Sequence, residues 1–190
     1  MDLKLKGKTA LVSGATGGIG LAIAQGFLDE GANVAITSRD AGALDRTRAV
    51  LKHDALADHL LTIACDVSTP QGSELAVKET VGRFGVLNCV VPNAGAAGYP
   101  VGWNAGPDAW QDAVTANLFT ATNLATASVP SLIETQGAIT FISSITGIEA
   151  LPAPIPYSAA KAAIHALAKG LADDLAGKGV RVNIVAPGNV

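Results

Sequence analysis

The chain has 190 residues, of which 49% are hydrophobic and 15% charged, with a formal net charge of −3. That length suits one domain with a substantial core, and the composition excludes disorder. With no basic run, electrostatics offers little to nonspecific nucleic acid or an anionic membrane, although one bound nucleotide phosphate needs only a few local donors.

Short apolar, β-branched runs alternate with helical stretches along the chain. "TALVSG" reads as a first strand, followed by the glycine-rich "SGATGGIG" at 13–20. Gly18 to Glu30 reads as a helix with Ile19, Ala22, Ile23 and Phe27 on one face, ended by Gly31. "NVAITS" is a second strand, "DAGALDRTRAVLK" a helix and "LLTIACDV" a third strand. "QGSELAVKETVGRF" is a helix and "VLNCVVPNAG" a fourth strand. "PDAWQDAVTANLFTATNLATAS" reads as a long helix with Pro107 and Asp108 near its start. "AITFISS" is a fifth strand, Tyr157 to about Ala176 a helix, and "VRVNIVAP" a sixth strand.

Strands that are almost continuously apolar have both faces covered, and right-handed crossovers then make a doubly wound parallel sheet. The expected α/β architecture is a Rossmann fold of strand order 3-2-1-4-5-6, a single dinucleotide-binding domain over 1–190. The N-terminal "MDLKLKGKTALV" is too short in its apolar part for a signal peptide, and no run reaches membrane-spanning length, so a cytoplasmic protein is expected. Cys65 and Cys89 sit in apolar runs and read as small buried hydrophobes. His53, His59 and His165 are scattered, read as structural or solvated, and leave no metal site expected.

In such a sheet ligands bind beyond the carboxyl ends of the strands, where the first helix offers free N–H groups and its positive dipole end. Glycine lets a phosphate approach that closely. The loop is not a Walker loop, since no Gly-Lys-Ser/Thr follows, and it does not fit G-x-G-x-x-G. Its spacing is Gly14-x3-Gly18-x-Gly20. At the end of the second strand, Ser38 stands where a ribose-binding acid is expected and Arg39 follows. A hydroxyl beside a guanidinium suits a 2′-phosphate, so NADP(H) is favoured. Asp40 leaves NAD(H) open, because a slip of the loop would present it instead. Tyr157 and Lys161 lie four apart on a predicted helix, one turn apart on one face. A nearby ammonium favours the phenolate, which suits Tyr157 to general acid/base work.

Together these motifs resemble the short-chain dehydrogenase/reductase family, of the 3-oxoacyl-acyl-carrier-protein reductase type. The resemblance runs from Lys6 to Val190. It implies that Gly14, Thr16, Gly18, Ile19 and Gly20 surround the cofactor pyrophosphate and adenosine ribose, with Ser13 in place of the usual Thr. Asp66 would bond the adenine amino group and Val67 contact its ring. Asn93, Ala94 and Gly95 match the motif after strand four, whose first Asn is here Pro92, removing one backbone donor. Asn117, Ser144, Tyr157 and Lys161 match the catalytic tetrad in order and spacing. Ser143 competes with Ser144, but adjacent strand residues face opposite ways and the interval to Tyr157 selects Ser144. The implied roles are Tyr157 as acid/base and a cofactor contact, Ser144 positioning the substrate oxygen, and Lys161 lowering the Tyr157 pKa while holding the nicotinamide ribose. Asn117 would anchor a relay water, and Pro187 with Gly188 would form the nicotinamide-side turn.

The implied activity is hydride transfer between NADP(H) and a carbonyl or alcohol, such as a 3-oxoacyl thioester or another small ketone. Pairing through the helices at Trp110–Ser128 and Tyr157–Ala176 implies a homo-tetramer or dimer. Family members normally continue past the Pro-Gly turn into a substrate-covering segment and a seventh strand, and neither is expected in a chain that stops at Val190. The alternative is a non-catalytic nucleotide-binding or assembly protein that keeps the fold without its lid. The stretch "AAGYPVGWNAGPDAW" either lines the pocket through Tyr99 and Trp103 or folds over the surface.

Overall fold

The computed structural model describes residues 2–51, 58–99 and 101–188; His53 lies outside them. The strands are β1 (Thr9–Ser13), β2 (Asn33–Ser38), β3 (Leu60–Ala64), β4 (Cys89–Val91), β5 (Ala138–Ile142) and β6 (Arg181–Val185). They form one parallel sheet in the order β3-β2-β1-β4-β5-β6, as the alternation of strands and helices predicts. The helices are α1 (Gly18–Asp29), α2 (Ala41–Leu51), α3 (Pro70–Phe84), α4 (Pro107–Ala113), α5 (Thr120–Thr135) and α6 (Ile155–Ala176).

The two-residue period of the strands sorts the core onto two faces. Leu11, Ala35, Val90, Ile139 and Phe141 meet α3, α5 and α6 through Ala76, Leu124, Leu132, Ile164 and Ala168. Their neighbours Val12, Val34, Ile36, Val91 and Ile142 meet α1 and α2 through Ala24, Leu28, Leu44 and Leu51. All five residues of β1 are buried, which is why it reads as an unbroken apolar run. His59 Nδ1 lies 2.7 Å from Asn33 Oδ1 and ties the starts of β2 and β3, the structural one of the two roles left open for it. Among the described residues no helix is long and apolar enough to cross a membrane.

Three helical boundaries depart from the sequence reading. The helix expected to end at Ser128 continues to Thr135 with Pro130 inside it. Pro130 has no N–H to offer the carbonyl one turn back, at Thr126, but Thr126 is exposed, where solvent can supply the lost partner. Fully buried Leu132 and the bond from Thr135 Oγ1 to Leu87 O (2.7 Å) hold the extra turns in place. Between α4 and α5 the chain runs as a π-turn over Val114–Phe119, which hydrophobic periodicity cannot reveal. Finally, α6 begins at Ile155 rather than Tyr157, because Pro154 and Pro156 fall at its cap and first turn, where a missing N–H costs nothing.

Candidate functional site

A cleft of about 1640 Å³ opens over the carboxyl ends of the strands. Gly14, Thr16, Gly18, Ile19 and Gly20 line one wall. Gly14 takes φ +62°, and a Cβ there would stand 2.7 Å from Ala94 Cα. Gly20 has no room either, since a Cβ would run into the Asn93 amide nitrogen. Glycine at both positions therefore lets the loop close against the segment after β4. The N-cap of α1 is Gly17, which offers no side-chain cap, so the first-turn N–H groups are left for a ligand. A diphosphate fits such a cradle.

Ser13 holds this loop in a way the sequence reading missed. Its hydroxyl accepts the N–H groups of both Asn93 and Ala94, at 3.0 Å each. Asn93 returns the tie, donating through Nδ2 to the carbonyls of Ser13 and Gly14, both at 3.0 Å. Pro92, which lacks an N–H, still accepts from Ile142 N at 3.1 Å. Only the hydroxyl at position 13 signalled any of this, and its partners lie some eighty residues away.

At the other end of the cleft Ser38, Arg39, Asp66 and Val67 line the wall. Asp40 turns away: its Oδ1 accepts Ala43 N at 3.0 Å at the start of α2, and its other oxygen lies 3.7 Å from Arg46 Nη2. Asp66 Oδ1 accepts Ser68 N at 2.9 Å. Burial alone would raise the Asp66 carboxyl, but the Ser68 bonds and the Arg39 charge outweigh it and hold the group below its ordinary range.

Gly95, Tyr99 and Gly188 line the cleft; Asn117, Ser144, Tyr157, Lys161 and Pro187 are not among its lining residues, although Asn117 and Lys161 lie against Gly95. A Cβ on Gly95 would stand 2.6 Å from Asn117 Oδ1 and 3.3 Å from Lys161 Nζ, so glycine admits both side chains. Asn117 is fully buried within the π-turn. Its Nδ2 donates to Ala96 O (2.9 Å) and Ala113 O (3.0 Å), while Oδ1 accepts Ala96 N (3.2 Å). Both amide hydrogens are thus committed to protein carbonyls, bracing the loop after β4. Lys161 Nζ donates to Ile142 O at 2.9 Å and sits 5.8 Å from the centre of the Tyr157 ring. Ser144 caps a short 3₁₀ turn, its Oγ 3.1 Å from Thr146 Oγ1, while Ser143 turns the other way, onto α6. Ile145 N donates to Pro187 O at 2.9 Å, which brings the Pro187–Gly188 turn beside Ser144. Tyr99 lines the cleft and donates to Asp112 O at 3.3 Å, whereas Trp103 is 90% exposed and does not line it.

Burial pushes the Lys161 ammonium down from 10.5 to about 8. The unfolded chain holds this proton up to the higher value, so between the two the unfolded state binds more protons and folding gains stability as pH rises. That gain is complete above 10.5 and is lost as pH falls through about 8. Cofactor-free wild-type protein should therefore gain stability relative to Lys161→Met between pH 7 and 10, by a few kcal/mol at most. Denaturant unfolding of the two proteins across that range measures the difference. A constant difference would mean that Lys161 is not desolvated.

A sequence model of the short chain dehydrogenase family matches residues 8–190. The chain belongs to this family. Among curated relatives of this short-chain dehydrogenase, L-fucose dehydrogenase of Bos taurus is 34% identical over 100% of the chain and 68% of its own length. A 3-oxoacyl-acyl-carrier-protein reductase of Staphylococcus aureus is 34% identical over 95% of the chain and 74% of its own length. Among solved structures, L-sorbose reductase of Gluconobacter frateurii, complexed with NADPH and L-sorbose, matches with a TM-score of 0.92 at 33% identity. That match covers 99% of the chain and 72% of the sorbose reductase. The short-chain dehydrogenase fold accounts for the observed sheet order, and the family is one of nicotinamide-dependent oxidoreductases.

Proposed function

We propose that the chain is an NADP-preferring carbonyl reductase or alcohol dehydrogenase in which Tyr157 is the general acid and base. The observation that carries this reading is the buried Lys161 ammonium, 5.8 Å from the Tyr157 ring and close against Gly95 at the end of a dinucleotide-sized cleft. The nicotinamide cofactor, when bound, supplies or accepts the hydride.

The chain's own residues do the rest. The loop at Gly14–Gly20 and the uncapped start of α1 receive the diphosphate, and Asp66 with Val67 receives the adenine. Tyr157 gives its phenolic proton to the carbonyl oxygen during reduction, or takes the alcohol proton during oxidation. Lys161 stabilises the phenolate left behind and is placed to hold ribose hydroxyls. Ser144 donates to the same substrate oxygen. Asn117 braces residues 95 and 96 beside this centre, and its Oδ1 keeps acceptor capacity for the relay water.

The cofactor preference follows from Ser38 and Arg39 facing the cleft while Asp40 is spent on α2. Arg39 meets a 2′-phosphate with charged hydrogen bonds, and Ser38 leaves it room. In Ser38→Asp combined with Arg39→Leu, the ratio of kcat/KM for NADPH over NADH should fall about a hundredfold, roughly the 3 kcal/mol of such bonds. An unchanged ratio would remove the assignment.

The substrate is a small ketone or alcohol. Its class is approached by a panel of ketoses, polyols and 3-oxoacyl thioesters, following the names of the relatives, with nicotinamide absorbance as readout. No turnover on any member, with cofactor bound, would favour a non-catalytic role.

A further inference from the structure

At the end of β5, two consecutive serines divide between two tasks. Ser144 Oγ accepts from Thr146 at the head of the 3₁₀ turn. Buried Ser143 turns onto α6, where its Oγ donates to Lys161 O at 3.0 Å and lies 3.0 Å from His165 Nε2. A hydroxyl has one proton. With that proton donated to Lys161 O, the contact with His165 is an Nε2–H donating to Ser143. With the proton on Nδ1 instead, Nε2 would compete with Lys161 O for the serine hydrogen.

Lys161 O is also the carbonyl that α-helical geometry pairs with the N–H of residue 165. Backbone and side chain of His165 therefore meet the same spot, one directly and one through Ser143. The neighbouring bond from Lys161 Nζ to Ile142 O at 2.9 Å pins the same residue to the preceding position of β5. Gly147 closes the arrangement from above, for a Cβ there would stand 2.9 Å from Ala162 N and 3.1 Å from Lys161 O. Ser143 itself is fixed to β6 by its N–H, which donates to Val185 O at 2.8 Å.

We propose that His165 is a positioning residue for the Tyr157–Lys161 pair, acting through Ser143. Its Nε2–H aims the Ser143 proton at the Lys161 carbonyl and so sets the rotation of α6 against β5. This rests on the assignment of Tyr157 and Lys161 above. His165 is not among the residues that line the cleft.

The test is the pH profile of alcohol oxidation by the full chain, measured for His165→Leu, His165→Gln and Ser143→Ala beside Tyr157→Phe. Oxidation needs a base to take the alcohol proton, so kcat/KM rises with pH along a basic limb. A displaced Lys161 ammonium favours the phenolate less, which moves that limb about one pH unit higher and lowers kcat about tenfold at neutral pH in His165→Leu and Ser143→Ala. His165→Gln keeps a donor near the Nε2 position and should recover the wild-type limb. The Ser143→Ala/His165→Leu double variant should be no worse than the poorer single variant, because both break one chain of bonds. Wild-type limbs in the single variants, a Gln variant as impaired as the Leu variant, or additive losses would each overturn the proposal. If His165→Leu does not fold, Ser143→Ala and His165→Gln carry the same comparison. Full turnover in Tyr157→Phe would overturn the catalytic assignment itself; an inactive Tyr157→Phe with an unmoved limb in the His165 variants would overturn only the positioning role.

Discussion

Tyr157→Phe is expected to lower turnover about a thousandfold while leaving cofactor affinity within about twofold of the parent, the range spanned by a positioned general acid. The substitution removes one oxygen and leaves the ring, so the first turn of α6 and the packing under Lys161 persist. The ring is only partly buried, so folding should be insensitive to the loss of its hydroxyl. Cofactor contact is assigned chiefly to the glycine loop, Arg39, Asp66 and Lys161, none of which changes. Stopped-flow turnover and a separate cofactor titration by fluorescence distinguish the two effects. Loss of both together would mean that Tyr157 organises the cleft rather than moving a proton. Turnover retained would end its catalytic role.

Gly14→Ala should cost about 3 kcal/mol in stability and weaken the cofactor more than tenfold. Two causes add. The residue sits at φ +62°, where an L side chain costs about 1–2 kcal/mol. Its Cβ would also stand 2.7 Å from Ala94 Cα, a backbone atom that cannot swing away. Relief requires the loop and the segment after β4 to separate, which strains the bonds from Asn93 and Ala94 to Ser13. Gly17→Ala is the matched control: its φ is −177°, ordinary extended backbone, and nothing lies within 4 Å of a Cβ there. It should lose less than about 1 kcal/mol. Thermal and denaturant unfolding of both variants without cofactor tests the contrast. Equal losses would show that glycine is needed along the loop only for flexibility.

The sheet was legible because its strands carry their own signal. Each is a short apolar run bounded by helix-forming stretches, and a chain of such units with right-handed crossovers has few ways to fold. The candidate site residues were legible through the family resemblance that their spacing carries: Gly14, Gly18 and Gly20 at one turn, and Tyr157 and Lys161 one helical turn apart. The end of α5 at Thr135 was less visible, because the helix runs through Pro130 on the strength of a buried Leu132 that local propensity ignores. The π-turn around Asn117 was invisible for a related reason: its stability comes from Ala96, a residue of another segment that satisfies the amide.

By itself the sequence determined the strand order, the glycine cradle and the spacing of Asn117, Ser144, Tyr157 and Lys161, since periodicity and spacing are properties of neighbours along the chain. The tertiary structure decided which atoms those residues spend on one another. It turned Asp40 away from the cleft and onto α2, committed the Asn117 amide to Ala96, and joined Ser143, Lys161 and His165 across the β5–α6 packing. Hydrogen bonds are directional and saturable, so one donor's choice depends on every acceptor that folding brings within about 3 Å, and most of those lie far away along the chain.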